Sequence, residues 1–197
     1  MTKQIDYFFS LVSPWTYLGD AQLGNLAAKH EAKVIYKPMQ LGKVFPATGG
    51  LPLPKRSQQR QDYRLVELER YSKRLNLPLN LHPAHFPADE SKAAGMVLTS
   101  IKLGIEPCVL VNTILTAVWA RDLDISDDTT LLSLAKEIGM NGEELLAGAA
   151  DPDTMAVWDA NSDEAIERGV FGSPFYFVDD EPFWGQDRLD LVEDALA

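Results

Sequence analysis

The sequence is short of cysteine: among 197 residues there is one, Cys108. An internal disulfide and a CxxC redox pair each need two cysteines, so the chain can form neither. A dithiol redox centre made by this chain alone is therefore excluded. Cys108 itself follows a proline in an apolar run, which predicts a buried structural thiol rather than a nucleophile.

Basic residues are also scarce, with 18 Lys and Arg against 29 Asp and Glu and a net charge of −11. Phosphate groups are bound by clustered Lys and Arg, so we expect no nucleic-acid partner and no anionic-membrane partner. One stretch, KRSQQRQDYR at residues 55–64, is locally basic. We interpret it as a solvated helical face in preference to an anion site.

Long hydrophobic runs and common catalytic motifs are missing as well. The most apolar later segment, CVLVNTILTAVWA at residues 108–120, is too short and too polar to span a bilayer. The first residues, MTKQIDYFF, lack the apolar core and the cleavage pattern of a signal peptide. No GxGxxG, P-loop or GxSxG motif occurs. We therefore expect a soluble cytoplasmic protein that does not bind membranes.

The hydrophobic patterning that is present alternates between strands and helices. IDYFFSLV and AKVIYKPM predict two strands separated by a helix over residues 14–30, and SPFYFVDD and EPFW predict two more strands before a terminal helix. LGKVFPATGGLPLPKR predicts an ordered surface loop. Further helices are predicted over 58–75, 89–104, 107–121, 128–139, 142–149 and from Pro152 to Gly169.

This order of elements predicts an α/β protein with a thioredoxin-like fold and a large all-helical insertion. It reads β-α-β, then a long helical middle, then α-β-β-α, and removing the middle leaves the order of a thioredoxin-like domain. The predicted boundaries are residues 1–55 plus 151–197 for the thioredoxin-like domain and 56–150 for the helical insertion domain.

Ser13, in SLVSPWTYLG, stands where the first strand gives way to the first helix. Serine followed by proline is a typical helix start, because serine caps the free N–H groups and proline fits the first turn. The same helix end stabilises an anion, and a capping hydroxyl can still donate its own proton. Ser13 is thus a helix cap that is also able to stabilise a thiolate from another molecule.

Two later segments carry comparable signals. Ser173-Pro174 precedes an apolar strand, where proline is confined to a strand start or an edge, and a cis bond there would offer the Ser173 backbone to an extended ligand. Gln186 and Asp187 open the last predicted helix, as a cap or as a site for a ligand carboxylate and ammonium. His82 and His85 lack further ligands nearby, so no metal site is predicted.

These segments together resemble the 2-hydroxychromene-2-carboxylate isomerase family, which is related to the kappa-class glutathione transferases and more distantly to DsbA-type oxidoreductases. The resemblance covers essentially the whole chain. It rests on FFSLVSPWTYLG, GLPLPKR, YRLVELERY, AVWARDLDI and GVFGSPFYFVDDEPFWGQDRL. It implies a thioredoxin-like fold with a helical insertion and glutathione as the cofactor. Dimerisation is common in such relatives, although no surface in this sequence points to a homodimer.

The resemblance also implies roles for individual residues. Ser13 matches the catalytic serine that faces the glutathione sulfur, and Pro174 matches a cis-proline. Ser173 matches the residue whose backbone pairs with the cysteinyl part of glutathione. Gln186 and Asp187 match the positions that bind the γ-glutamyl end.

One loop departs from the family pattern. Where many relatives have F-K-x-S/T-G-N, this chain reads FPATGG, so Pro46 and Gly50 cannot supply the side-chain contacts of the lysine and asparagine. Lys43, Thr48 and Lys55 are the candidates to replace them.

The function that the resemblance implies is a glutathione-dependent isomerase of aromatic catabolism. It would open the ring of a small aromatic substrate, 2-hydroxychromene-2-carboxylate, to hydroxybenzylidenepyruvate. A kappa-like glutathione transferase and a non-catalytic glutathione- or peptide-binding module stay open as alternatives. We expect the substrate pocket between the core and the insertion. The candidates for its walls are Trp15, Phe86, Trp119 and Trp184.

Overall fold

The computed structural model describes residues 3–197 and contains a four-stranded mixed sheet. Its strands, in the order β2-β1-β3-β4, are β1 (Gln4–Phe9), β2 (Lys33–Pro38), β3 (Phe175–Val178) and β4 (Glu181–Trp184). β1 pairs with β2 in parallel and with β3 antiparallel, and β3 pairs with β4 antiparallel. This is the pairing of a thioredoxin-like sheet, and all four strands coincide with predicted ones.

Nine α-helices occur in the described part of the chain. Before the insertion come α1 (Pro14–Lys29) and α2 (Leu41–Thr48), and after it come α8 (Pro152–Glu167) and α9 (Leu189–Ala195). The insertion contains α3 (Gln58–Leu75), α4 (Ser91–Lys102), α5 (Cys108–Trp119), α6 (Asp128–Glu137) and α7 (Gly142–Ala149). The predicted helix over 58–75 is confirmed at both ends. No helix among residues 3–197 is long and apolar enough to cross a bilayer.

The prediction of a surface loop after β2 is wrong over residues 41–48, which form α2. Val44 is buried beneath this helix, and Gly49 ends it in the left-handed conformation at φ 81°. Pro46 lies inside the helix, where it removes one backbone hydrogen bond but leaves most of the short helix intact. The glycines and prolines of this stretch therefore mark the end of a helix rather than a continuous loop.

The two faces of the sheet are covered by different helices. On one face Phe8, Phe175 and Phe177 pack with Met39 and Val44 in a small cluster. On the other face a larger core begins with the side chains of Tyr7, Phe9 and Tyr176 from the sheet. That core continues through α1 into the insertion and includes Leu68, Met96, Ile114, Trp119 and Leu134. The insertion and the sheet thus share one hydrophobic core, and the domain boundaries stay a prediction.

Candidate active site

Ser13 caps the N-terminus of α1 and donates its own hydrogen bond at the same time. Its backbone is extended (φ −83°, ψ 123°), and its Oγ accepts from the Thr16 N–H at 3.3 Å. The same hydroxyl donates to the carbonyl oxygen of Ser173 at 3.1 Å. Pro14 occupies the first helical position, as the sequence predicts. The cap therefore holds the hydroxyl at the positive end of a sixteen-residue helix, with its proton directed away from the helix.

Ser173 connects this helix end to the sheet. The Ser173-Pro174 peptide bond is cis, and Pro174 directly precedes β3. The Ser173 hydroxyl accepts from the Ser10 N–H at 2.9 Å and shares a hydrogen bond with the Thr16 hydroxyl at 2.8 Å. Four small hydroxyl side chains, from Ser10, Ser13, Thr16 and Ser173, thus meet at the junction of β1, α1 and β3, and all four are buried.

Gln186 and Asp187 lie beside this junction, in a short 3₁₀ helix (Gln186–Arg188) that leads into α9. Gln186 is buried against α1, where Gly19 leaves room for its side chain. The Asp187 carboxylate is partly exposed and pairs with the Arg188 guanidinium at 2.6 Å. Gln186 and Asp187 therefore present one buried amide and one accessible carboxylate to the adjoining cavity.

Two cavities meet at Ser173. The first has a volume of about 530 Å³ and lies against Gln186, Asp187, Tyr63 and Tyr71. The second has a volume of about 750 Å³ and lies against Ser13, Thr48, Phe45 and Phe86. Both volumes fall in the range of small-molecule sites. The residues common to the two cavities are Trp15, Arg56, Arg60, Arg64, Ser173 and Trp184.

Comparison with known proteins places this fold in a family. Residues 4–197 match the model of the DSBA-like thioredoxin domain. The chain belongs to the family of DSBA-like thioredoxin domains. It has 28% identity over 197 residues with the 2-hydroxychromene-2-carboxylate isomerase of Sphingobium xenophagum, covering 100% of this chain and 99% of that protein. The resemblance drawn from the sequence motifs and the predicted thioredoxin-like fold are both confirmed.

Two further relatives bear on the chemistry of this family member. A solved structure of 2-hydroxychromene-2-carboxylate isomerase superimposes with a TM-score of 0.83 at 27% identity, covering 98% of this chain and 94% of that one. Glutathione S-transferase kappa 1 of Homo sapiens is 24% identical over 218 residues, covering 100% of this chain and 92% of that protein. These relatives are enzymes, and the transferase is named for glutathione.

The structure does not bring all the predicted site residues together. Thr48 borders the second cavity, but neither Lys43 nor Lys55 borders either one. The Lys43 ammonium instead pairs with the Asp163 carboxylate of α8 at 2.8 Å. Since Lys43 lies within α2, its side chain projects from that helix toward α8, whereas the prediction assumed a loop.

The predicted aromatic walls divide in the same way. Trp15 and Trp184 border both cavities, and Phe86 borders the second. Trp119 is fully buried in the core and borders neither cavity, so the prediction that it forms part of the pocket wall is wrong. Trp119 still lies behind the wall, because its ring packs on Phe86 with 5.0 Å between ring centroids.

Glu90 is a site residue that the sequence did not reveal. Although the residue is partly exposed, its carboxyl group turns inward and accepts from the Ser10 hydroxyl at 2.8 Å and the Leu11 N–H at 2.5 Å. Burial raises the pKa of this carboxyl to about 7, although the hydrogen bonds from Ser10 and Leu11 act in the opposite direction. A group that titrates near neutral pH therefore supports the turn that leads to Ser13.

The basic stretch at residues 55–64 also has a different surrounding from the predicted one. Arg56, Arg60 and Arg64 border both cavities rather than forming only a solvated helical face. Arg56 precedes α3, and Arg60 and Arg64 lie one turn apart on it. The spacing of four residues between these arginines predicts that they share one side of a helix. It does not predict whether that side faces solvent or a cavity.

Proposed function

We propose that this protein is a glutathione-dependent isomerase of the 2-hydroxychromene-2-carboxylate type. The observation that carries the proposal is the position of the Ser13 hydroxyl at the N-terminus of α1. It borders the second cavity and donates to the carbonyl of Ser173, the residue that borders both cavities. One cavity suits a small peptide and the other a flat aromatic molecule. The relatives named for this isomerase activity match the chain over its full length.

The first cavity fits glutathione in size and in charge. Glutathione carries an ammonium group and two carboxylates, and this cavity presents the Asp187 carboxylate, the Gln186 amide and the Arg60 guanidinium. Because Ser173 borders both cavities, a peptide that extends from Gln186 toward Ser173 approaches the second cavity with its thiol end. When bound, glutathione supplies a nucleophilic thiolate that can add reversibly to a conjugated substrate.

The residues of the chain prepare the site for that thiolate. The Ser13 hydroxyl donates a hydrogen bond, and the free N–H groups of the first turn of α1 add a partial positive charge. Both interactions favour the charged form of a sulfur over the neutral thiol, as at cysteines that begin helices. Trp184, Phe86 and Phe45 border the second cavity and offer apolar aromatic surface to a flat substrate.

A thiol-blocked cofactor tests this proposal directly. Turnover of 2-hydroxychromene-2-carboxylate is measured by ultraviolet absorbance with glutathione, with S-methylglutathione and without either. We expect turnover only in the sample that contains glutathione, and we expect the concentration of free thiol to stay constant during many turnovers. Absence of turnover at every glutathione concentration, with the protein folded, would contradict the proposal.

A kappa-like transferase is the second candidate, and the match to glutathione S-transferase kappa 1 favours it. In a transferase, the sulfur stays attached to the electrophile, so free thiol falls by one equivalent for each product formed. Thiol titration during steady-state turnover on an aromatic electrophile therefore separates the two reactions.

A further inference from the structure

Three arginines next to the cavities have no acidic partner among residues 3–197. Neither Arg56, Arg60 nor Arg64 forms an ion pair in that part of the chain, although the protein carries a net charge of −11. Of the other five arginines, Arg70, Arg121, Arg168 and Arg188 each pair with a carboxylate, and Arg74, which has no ion pair among the described residues, is exposed to solvent away from the cavities. An excess of unpaired positive charge around one pair of cavities indicates that the balancing anion is a ligand.

Arg64 is the most constrained of the three. Its guanidinium lies over the ring of Phe86, 5.6 Å from the centroid, and 5.9 Å from that of Trp119. Burial and the neighbouring charge of Arg56 lower the pKa of Arg64 to about 10, which still leaves it charged at neutral pH. The aromatic faces compensate only part of the cost of burying a charge. Arg64 is therefore held in place and lacks an anion.

The surroundings of Arg64 point to the second cavity. Phe86 and Pro87 border that cavity and not the first, and Phe86 is the ring on which the guanidinium lies. Arg56 has a related position, with its guanidinium 6.0 Å from the centroid of Phe45, another residue of the second cavity. Two guanidinium groups that lie above aromatic rings therefore border the second cavity.

We propose that Arg64, assisted by Arg56, binds the carboxylate of an aromatic substrate in the second cavity. The inference takes its substrate class from the proposed function, since the chromene substrate carries one carboxylate on its ring. Arginine suits this role because its planar guanidinium forms two parallel hydrogen bonds with a carboxylate. Arg60, which lies over no aromatic ring of residues 3–197, is left for a carboxylate of glutathione in the first cavity.

The orientation of the substrate follows from this assignment. With its carboxylate at Arg64, the ring would lie among Phe45, Phe86 and Trp184, and the rest of the molecule would extend toward Ser13, which borders the same cavity. Uncharged aromatic molecules of the same size would fill the cavity but leave the half-buried guanidinium of Arg64 without an anion. Specificity for acids over amides or esters is the expected result.

Calorimetry with two matched probes tests the proposal without requiring turnover. The probes are chromone-2-carboxylate, which is flat and does not react, and its uncharged carboxamide. We expect the wild type to bind the carboxylate roughly 10- to 100-fold more tightly than the carboxamide. Arg64→Gln should lose most of that preference, because it weakens the binding of the carboxylate probe and leaves that of the carboxamide unchanged. Arg64→Lys should keep part of the preference.

Arg74→Gln is the matched control, since Arg74 lies in the last turn of the same helix and borders neither cavity. It makes the same change of charge and should leave the affinity for either probe within about twofold of the wild type. Thermal melting of each variant confirms that it is folded. If Arg64→Gln fails to fold, Arg64→Lys decides, because lysine keeps the charge but not the planar fork. A carboxylate preference that is reduced but not abolished supports the proposal, and an unchanged preference contradicts it.

A glutathione arm distinguishes the two sources of a carboxylate. Arg64→Gln should leave glutathione affinity within about threefold of the wild type. A loss of tenfold or more for glutathione, with chromone-2-carboxylate unaffected, would overturn the proposal and assign Arg64 to the cofactor. An enzyme that discriminates the two probes through Arg64 but does not isomerise the chromene keeps this inference and loses the proposed function. If Arg64→Gln isomerises the chromene at the normal rate with an unchanged KM, the proposed function stands and the role of Arg64 is refuted.

Discussion

The hydroxyl of Ser13 donates to the backbone carbonyl of Ser173 across 3.1 Å, although the two residues are 160 positions apart in the chain. The carbonyl belongs to the residue that precedes Pro174, and the hydroxyl belongs to the cap of α1. In this arrangement the proton of Ser13 is already committed to an acceptor. A thiolate that arrives at the same place competes with the Ser173 carbonyl and is favoured by its full negative charge.

Removing this hydroxyl should affect catalysis far more than folding. We expect Ser13→Ala to lower kcat/KM by roughly 10²- to 10³-fold, as for the loss of one charge-stabilising donor. The free energy of unfolding should fall by about 1–3 kcal/mol, because a cap and a buried hydrogen bond are lost together. The measurements are steady-state kinetics with saturating glutathione and denaturant unfolding.

Asp127→Ala is the control for the loss of the cap. Asp127 caps α6 by accepting from the Thr130 N–H at 2.8 Å and borders neither cavity. Its replacement should cost about 1 kcal/mol of stability and leave kcat/KM unchanged. Near-normal turnover in Ser13→Ala would remove Ser13 from the mechanism.

The buried carboxyl of Glu90 should make stability depend on pH near neutrality. Its pKa in the folded protein, about 7, is above the ordinary 4.5, so the folded state binds this proton more tightly than the unfolded chain. The contribution of Glu90 to stability is therefore full below about pH 4.5 and is lost as the pH rises to about 7.

Glu90→Gln removes this titration and isolates it. The difference in unfolding free energy between the variant and the wild type should shift in favour of the variant as the pH rises from 4.5 to 8. Denaturant midpoints at several pH values across that range provide the measurement. A difference that stays constant with pH would mean that Glu90 ionises as an ordinary surface acid.

Gly19 allows the position of Gln186 to be tested from the opposite side of the contact. A Cβ at residue 19 would lie 2.8 Å from the Gln186 Cβ and 3.1 Å from the Tyr176 hydroxyl, so Gly19→Ala must displace Gln186. We expect weaker glutathione binding by calorimetry and no gain in stability. Gly24→Ala, in the same helix with nothing within 4 Å, should instead raise stability by about 0.5–1 kcal/mol. Equal behaviour of the two variants would argue against a tight contact at Gln186.

Gly172 lies under the indole of Trp184 and permits a similar test of the second cavity. A Cβ there would come within 2.4 Å of the Trp184 Nε1, and Trp184 is 53% exposed, so the ring has room to move. Gly172→Ala should therefore raise KM for the aromatic substrate with little loss of stability. Gly42→Ala is the control, because Gly42 borders the same cavity and a Cβ added there would have no neighbouring atom within 4 Å. An unchanged KM in Gly172→Ala would show that the indole is not part of the substrate site.

Local signals in the sequence were sufficient for most of the fold. Asp151 accepts from the Asp153 N–H to cap α8, and Pro152 occupies its first turn, as their types and order predict. The helix over residues 41–48 was missed because proline and glycine usually interrupt helices, whereas here Pro46 is tolerated and Gly49 forms the end.

The parts of the site that depend on contacts between distant segments are harder to predict from the sequence. Ser13 and Ser173 stand in local motifs that identify each residue independently of the hydrogen bond between them. Glu90 has no such motif, and its role depends on Ser10, which is 80 positions away. The orientation of Arg64 depends on Phe86 and Trp119, two rings that come from different segments of the insertion.

The bond between Glu90 and Ser10 limits how this protein could be recombined with its relatives. By its place in the sequence, Glu90 belongs to the helical insertion, yet its carboxyl group completes the turn that leads into α1. A chimaera that exchanges residues 56–150 for those of another family member would leave Ser10 and Leu11 with a foreign neighbour. Unless that neighbour also supplies an inward carboxyl, the turn that leads to Ser13 loses its support even when every residue of the sheet is retained. The unit of exchange is therefore the insertion together with the turn.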